Sequence, residues 1–107
     1  MANPEVLFGL ASTAAHTAVV DAVVEGLDRD YCGLSWVVIK PASGRFVKYL
    51  KDNGIGRKEI GGGWRVPRHA MATYRGQSMG VNEAAAEAFA DVLCDYGVKA
   101  YALSRID

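Results

Sequence analysis

The sequence predicts an α+β fold in which two helices cover one face of a four-stranded sheet and a further helix precedes them. The length of 107 residues is that of one ordinary domain, spanning residues 1–107. Apolar residues recur at helical spacing in separate segments, and strand-forming runs lie between them. No repeat, low-complexity tract or linker divides the chain.

The first helix is predicted over residues 12–27, with Ser12 or Thr13 as its N-cap. Before it, the short apolar segment 6–8 is expected to be a strand that leads in. The apolar side of the helix is made of residues at helical spacing: Ala15, Val19, Val20, Val23, Val24 and Leu27. The pattern does not say on which part of the sheet this helix packs.

A central strand is predicted over residues 33–40, because residues 36–39 are a continuous run of strong strand formers. Such a run indicates burial on both faces. Pro41 ends it, since proline has no N–H to give to a neighbouring strand. A short helix over residues 44–52 is expected next, capped by Ser43.

The segment 54–63 is predicted to be a glycine-rich loop, followed by a strand over residues 64–66. A turn and a return strand over residues 70–75 would complete a hairpin, although residues 70–72 fit a helix equally well.

The last helix is expected to begin at a cap formed by Asn82 and to end at Gly97. An alternating strand over residues 98–103 follows, with Tyr101 and Leu103 on one side. From residue 33 onward the order is therefore strand, helix, strand, strand, helix, strand. That order matches the split βαβ arrangement (βαββαβ) of ferredoxin-like folds, with the N-terminal helix as an addition.

The charges are unevenly distributed although they cancel over the whole chain. Residues 1–39 carry a net charge of −4, residues 40–75 of +7, and residues 76–107 of −3. A local field of this kind can steer a charged ligand even when the total charge is zero. The basic middle third is therefore the most informative feature of the sequence.

The basic segment predicts a binding surface for a polyanion, DNA or RNA, or for an acidic protein surface. Cations spaced along a chain can meet successive phosphates, and an aromatic ring such as that of Trp64 can stack on a base. A solvated face without a ligand is the plain alternative. The candidate residues are Arg45, Lys48, Lys51, Arg57, Lys58, Trp64, Arg65, Arg68 and Arg75.

Several site classes lack their signatures. The segment 69–76 does not carry the aromatic-rich motif of RRM-type RNA binders. The glycine loop has no Gly-Lys-Ser/Thr and lacks the third glycine of a dinucleotide fingerprint. Cys32 and Cys94 are expected to be free thiols, and His16 and His69 have no metal-ligand spacing around them. We therefore expect a non-catalytic module without cofactor or metal.

Location and partners follow from what the chain lacks. No uninterrupted apolar run of membrane-spanning length and no secretory signal are visible, so a cytoplasmic protein without membrane contact is expected. The alternative function is a protein-binding accessory or inhibitor, such as a small phage-encoded, anti-CRISPR-like protein that acts on a host nucleoprotein complex. That alternative is an analogy of size and composition. The oppositely charged regions also allow a homodimer.

Overall fold

The computed structural model of the chain describes residues 3–29 and 31–106. It is an α+β structure with a four-stranded antiparallel sheet and an N-terminal helix, as the sequence predicts. The helices are α1 (Pro4–Val24), α2 (Arg45–Asp52), α3 (Arg68–Met71) and α4 (Met79–Asp95). The strands are β1 (Gly33–Ile39), β2 (Arg57–Lys58), β3 (Trp64–Pro67) and β4 (Ala100–Ile106), and a 3-10 turn, Leu27–Arg29, follows α1.

The strands lie in the order β2-β3-β1-β4, and each is antiparallel to its neighbours. The apolar run of β1 thus takes a central place, as expected. Val37 lies opposite Val66 of β3 and Ala102 of β4, and these three side chains turn toward the helices. Helix α4 packs against both β1 and β4.

Helix α1 begins at Pro4 and not at residue 12, so the strand expected over residues 6–8 is wrong. The Asn3 side chain accepts a hydrogen bond from the backbone N–H of Glu5 at 2.8 Å, which caps the helix. Pro4 stands at the first helical position, where an N–H would have no partner within the helix. These caps supply a complete start signal ahead of Ser12.

The side of α1 that faces the core also differs from the expectation. The buried residues are Leu7, Ala11, Ala15, Val19 and Ala22, and they pack mainly on α4. Small side chains let the two helix backbones approach closely, since α4 presents alanines in return. The predicted apolar side is therefore correct for Ala15 and Val19 and wrong for the other valines, which are exposed.

Four further expectations are corrected. Residues 68–71 form helix α3, so the return strand over 70–75 is absent. Strand β3 pairs instead with β1 and with β2, which lies inside the segment 54–63 that was expected to be a loop. Helix α4 starts at Met79, and Asn82 lies buried within it, where its amide donates to the Gly33 carbonyl at 2.8 Å. Helix α2 has Gly44 at its N-cap position without a side-chain hydrogen bond, so Ser43 is not its cap.

By length and composition, α1 alone among the helices of the described residues is long and apolar enough to cross a membrane, although polar residues interrupt its apolar run. A core helix of a soluble protein meets the same two criteria. One face of α1 is packed in the hydrophobic core of this fold. The opposite face is considered below.

Candidate functional site

Within the described part of the chain, one face of the sheet is not covered by helices. Neighbouring side chains of a strand point to opposite faces, so Val37 points into the core while Leu34 and Trp36 lie on the other side. Tyr101 and Leu103 of β4 lie on that same side and are exposed. We call this surface the open face, and it comprises Leu34, Trp36, Val38, Lys40, Arg57, Arg65, Tyr101, Leu103 and Arg105.

A hydrogen-bonded cluster of Trp36, Glu59 and Arg65 crosses the open face. Nε1 of Trp36 donates to Oε2 of Glu59 at 2.8 Å. A guanidinium nitrogen of Arg65 lies 3.5 Å from Oε1 of Glu59, and the guanidinium carbon lies 4.0 Å from the centroid of the Trp36 ring. The cluster holds the indole and the guanidinium in one place, so this part of the face is preformed.

The carboxylate of Glu59 is tuned by the same cluster. Its side chain is 11 % exposed, and this burial raises its pKa. Hydrogen bonds from Trp36 and from the Ile60 N–H, together with the charge and hydrogen bond of Arg65, outweigh the burial, so the pKa of Glu59 lies below its ordinary value. Glu59 therefore remains an anion that neutralises Arg65.

A group of uncompensated cations lies at one end of the open face. The Lys40 N–H donates to the Lys99 carbonyl at 3.1 Å, which sets these two lysines side by side. A shallow cleft between them and α2 is also lined by Arg45, and a second cleft runs from the same lysines to the loop 61–63. We call Lys40, Arg45, Lys99 and the loop 61–63 the basic end.

The basic end is continuous with the exposed aromatic surface. Nζ of Lys40 lies 5.9 Å from the centroid of the Tyr101 ring. Among the described residues, none of the cations of the basic end is in a salt bridge. A polyanion placed there would meet positive charge and an exposed ring together.

The candidate cations Arg45, Lys48 and Lys51 form a basic stripe along α2, which is exposed but partly engaged. Lys48 forms a salt bridge with Asp52 at 2.8 Å. Nζ of Lys51 donates to the Ala42 carbonyl at 3.2 Å and lies 5.2 Å from the centroid of the Trp64 ring. Arg45 is therefore the member of this stripe that the structure brings to the basic end.

Trp64 and Arg68 occupy structural positions. Trp64 is 9 % exposed, belongs to the core, and donates from Nε1 to the Ile55 carbonyl at 2.9 Å. Its ring is not the surface platform that the sequence suggests. Arg68 donates to the carbonyls of Ala72 at 2.7 Å and Tyr74 at 3.1 Å. Burial lowers the pKa of Arg68, and Tyr74 opposes that shift.

The remaining predicted cations are dispersed. Arg57 lies opposite Arg65 on the open face. Lys58 is exposed on the edge strand β2, opposite Trp64, and thus faces the helix side of the sheet. Arg75 is exposed in the segment that joins α3 to α4. The nine predicted residues therefore do not form a single surface.

Sequence reasoning missed further residues of the open face and the basic end, which are Trp36, Lys40, Lys99, Tyr101, Leu103 and Arg105. The alternation of β4 was a usable signal, since Tyr101 and Leu103 were expected on one side. What the sequence did not show is that β4 pairs with β1, which brings Lys99 beside Lys40 and Arg105 to the far end of the open face.

The described residues offer binding chemistry. No group of three or more His, Cys, Asp or Glu side chains in ranges 3–29 and 31–106 could hold a metal ion. Cys32 and Cys94 are free and exposed, as expected.

Comparisons with known proteins identify no relative of the chain. No protein-family model matches the chain, and no curated protein or solved structure matches it significantly.

Proposed function

We propose that the chain is a cytoplasmic, non-catalytic module that binds single-stranded nucleic acid across the open face. The observation that carries the proposal is the juxtaposition of the exposed Tyr101 with the unpaired Lys40 and Lys99. Cations supply affinity for any polyanion, whereas an exposed ring adds affinity for bases.

Phosphates fit the basic end. Lys40 and Lys99 lie where two clefts meet, one of which is lined by Arg45 and the other by the loop 61–63. Glycines in that loop carry no side chain to keep a phosphate from the backbone. A strand that begins there would run over Tyr101 toward Arg57 or Arg105 at the borders of the face.

The shape of the surface favours single strands over duplexes. The open face is one side of a sheet, whereas the major groove of duplex DNA is read by a helix or a two-stranded ribbon. Bases of a single strand are unpaired and can lie flat on Tyr101 or Leu103.

We also infer that the sheet has the ferredoxin-like arrangement. In a split βαβ unit a third strand lies between the two strands that a helix connects. The order β2-β3-β1-β4 supports this, because β3 separates β1 from β2 and β1 separates β3 from β4.

The test is a titration of nuclease-treated protein with labelled single-stranded and duplex DNA and RNA over a range of salt. We expect single strands to bind more tightly than duplexes. The Lys40→Ala/Lys99→Ala variant should lower the salt slope by about 1.4, which is the loss of two phosphate contacts to a single strand. Tyr101→Ala should weaken binding by about 1–3 kcal/mol.

The control variant is Lys48→Ala/Arg75→Ala, which removes the same charge from exposed positions outside the open face. It should change affinity far less than the Lys40→Ala/Lys99→Ala variant. Absence of binding at low salt, or equal losses in both double variants, would overturn the proposal.

A protein partner is the second candidate function, and one observation favours it. Ile60 is 97 % exposed at the tip of the hairpin between β2 and β3, next to the basic end. An isolated apolar side chain of this kind can anchor an accessory or inhibitor protein on an acidic partner. A stoichiometric complex that survives nuclease and is lost with Ile60→Ser, in a protein that fails the titration, would favour this function.

A further inference from the structure

The outer face of α1 carries a regular stripe of four large apolar residues with two threonines at its centre. Its residues recur at alternating spacings of four and three: Val6, Leu10, Thr13, Thr17, Val20 and Val24. All of them are exposed, and its four large apolar residues are between 43 and 81 % exposed. We call this set the outer stripe.

The outer stripe lies opposite the side of α1 that packs in the core. At 3.6 residues per turn, successive residues are separated by 100°, which puts the centre of the stripe about 160° from the buried set centred on Ala15. Helix α1 is therefore apolar on two opposite sides, and α4 covers one of them. A helix that is apolar all round is normally buried all round.

The spacing indicates what covers the stripe. Apolar positions that alternate by four and three are the seam by which two α-helices pack along their length. Such a seam matches an identical seam around a two-fold axis, so a second copy of the same chain provides a complementary surface without any other partner.

The charges on α1 beside the outer stripe indicate that a second copy of the chain, and not a lipid surface, covers the stripe. Helices that lie on membranes carry lysines and arginines on their polar side. Helix α1 has neither, and it carries Glu5 and Asp21 instead. Anionic headgroups would repel it.

We propose that the chain forms a parallel homodimer through the outer stripe of α1. In a parallel helix pair, a residue that borders the seam faces the residue five positions further along the partner helix. Here His16 would face Asp21 of the second copy, and the contact occurs twice by symmetry. The imidazole N–H donates to the carboxylate, which favours the parallel orientation.

The first test is sedimentation equilibrium at low and at high salt. We expect a species of twice the chain mass that persists at high salt, because the seam is apolar. Val20→Glu should weaken the dimer at least about 30-fold, since it removes two buried valines and buries two carboxylates. Ile106→Glu is the matched control, since Ile106 is 63 % exposed and Val20 61 %.

A wild-type monomer at high protein concentration would overturn the proposal, as would a dimer that Val20→Glu leaves intact. Circular dichroism of the variants establishes that both are folded. A dimer that dissociates as salt is raised would also overturn it, because that behaviour belongs to a basic face on an acidic helix.

The second test fixes the orientation in a Cys32→Ser/Cys94→Ser background. In a parallel pair, Thr13 lies opposite Thr13 of the second copy, so Thr13→Cys should form a disulfide with itself. In an antiparallel pair, Thr13 lies opposite Thr17. Selective coupling of Thr13→Cys with Thr17→Cys in a mixture would overturn the parallel arrangement.

Discussion

Glu59 links β1 to β3 on the open face, because its carboxylate accepts a hydrogen bond from Nε1 of Trp36 and pairs with Arg65. Glu59→Gln keeps the shape of the side chain but removes its charge. We expect a loss of about 1–2 kcal/mol in the free energy of unfolding, as for other hydrogen bonds to charged groups. Chemical denaturation at neutral pH measures it, with the exposed Glu87→Gln on α4 as the control.

The same residue makes stability depend on pH. Because the pKa of Glu59 is lowered in the folded chain, its carboxylate stabilises the fold above the pKa of an ordinary glutamate, about 4.5. That contribution is lost as the pH falls through the lower, folded-state value. The stability difference between wild type and Glu59→Gln should therefore shrink in acid, and a difference that grows would contradict the assignment.

Arg68 is a cation of the basic segment that stabilises the fold, whereas the sequence named it as a binding residue. Its guanidinium holds two carbonyls in the segment after α3, and a lysine ammonium cannot reach both in that fork geometry. Arg68→Lys should destabilise the chain by about 1–2 kcal/mol. The salt slope of nucleic-acid binding should stay unchanged, whereas a lower slope would make Arg68 part of the binding surface.

The two tryptophans show why residue roles were hard to predict. Both lie in strands and next to cations. The sequence named Trp64 as a candidate for stacking on bases and placed Trp36 in a strand expected to be buried on both faces. Whether each ring is buried depends on which face of the sheet it points to and which face the helices cover, and the sequence does not determine this. Trp64 points toward α2 and the core, and Trp36 points to the open face.

At the scale of elements, the hairpin between β2 and β3 depends on its glycines. A Cβ added at Gly63 would lie 2.8 Å from Cγ1 of Val38 and 2.9 Å from the Ile39 carbonyl, on a backbone with φ of +100°. Gly62 has a similar φ of +108° and open space around it. The two positions thus separate backbone strain from a clash with β1.

Gly62→Ala should cost about 1–2 kcal/mol, from the unfavourable backbone conformation alone. Gly63→Ala should cost about 3 kcal/mol or more, because overpacking against β1 is added. Thermal unfolding of both variants measures the difference. Equal losses would mean that the strands separate to accommodate the side chain.

Helix α1 shows how far element prediction could go. The helix itself was predictable from the spacing of its apolar residues. Its start was placed at Ser12, although Asn3, Pro4 and Glu5 form the N-terminal cap that the structure shows. Its packing side was not predictable, because both sides are apolar. The choice depends on which side lets α1 approach α4, and that is a property of the pair of helices.

At the scale of the whole molecule, the fold regroups the charges of the sequence. Helix α4 has four carboxylates and neither lysine nor arginine, and α1 has only acidic charges besides His16. The open face and the basic end together carry six of the twelve lysines and arginines. Lys99 and Arg105 come from a segment with net charge −3. Only the pairing of β4 with β1 brings Lys99 to the basic end and Arg105 to the open face. A charge count along the chain therefore underestimates the binding surface and misplaces its centre.

The dimer and the binding surface together predict avidity. The outer stripe lies on the helical side and the open face on the sheet side, so pairing through α1 leaves both open faces free. A long single strand can then engage two faces at once, whereas a short one engages a single face. Linked binding of this kind raises affinity by about 10²–10⁴-fold without any new contact.

Val20→Glu separates these contributions, because it should weaken the proposed dimer and touches no residue of the open face. We expect it to weaken binding of an oligonucleotide of about 40 bases by at least about tenfold and to leave binding of about 10 bases unchanged. Fluorescence anisotropy with both lengths, with Ile106→Glu as the control, measures this. Equal losses at both lengths would place Val20 in the binding surface, and no loss at either would mean that the two faces act independently.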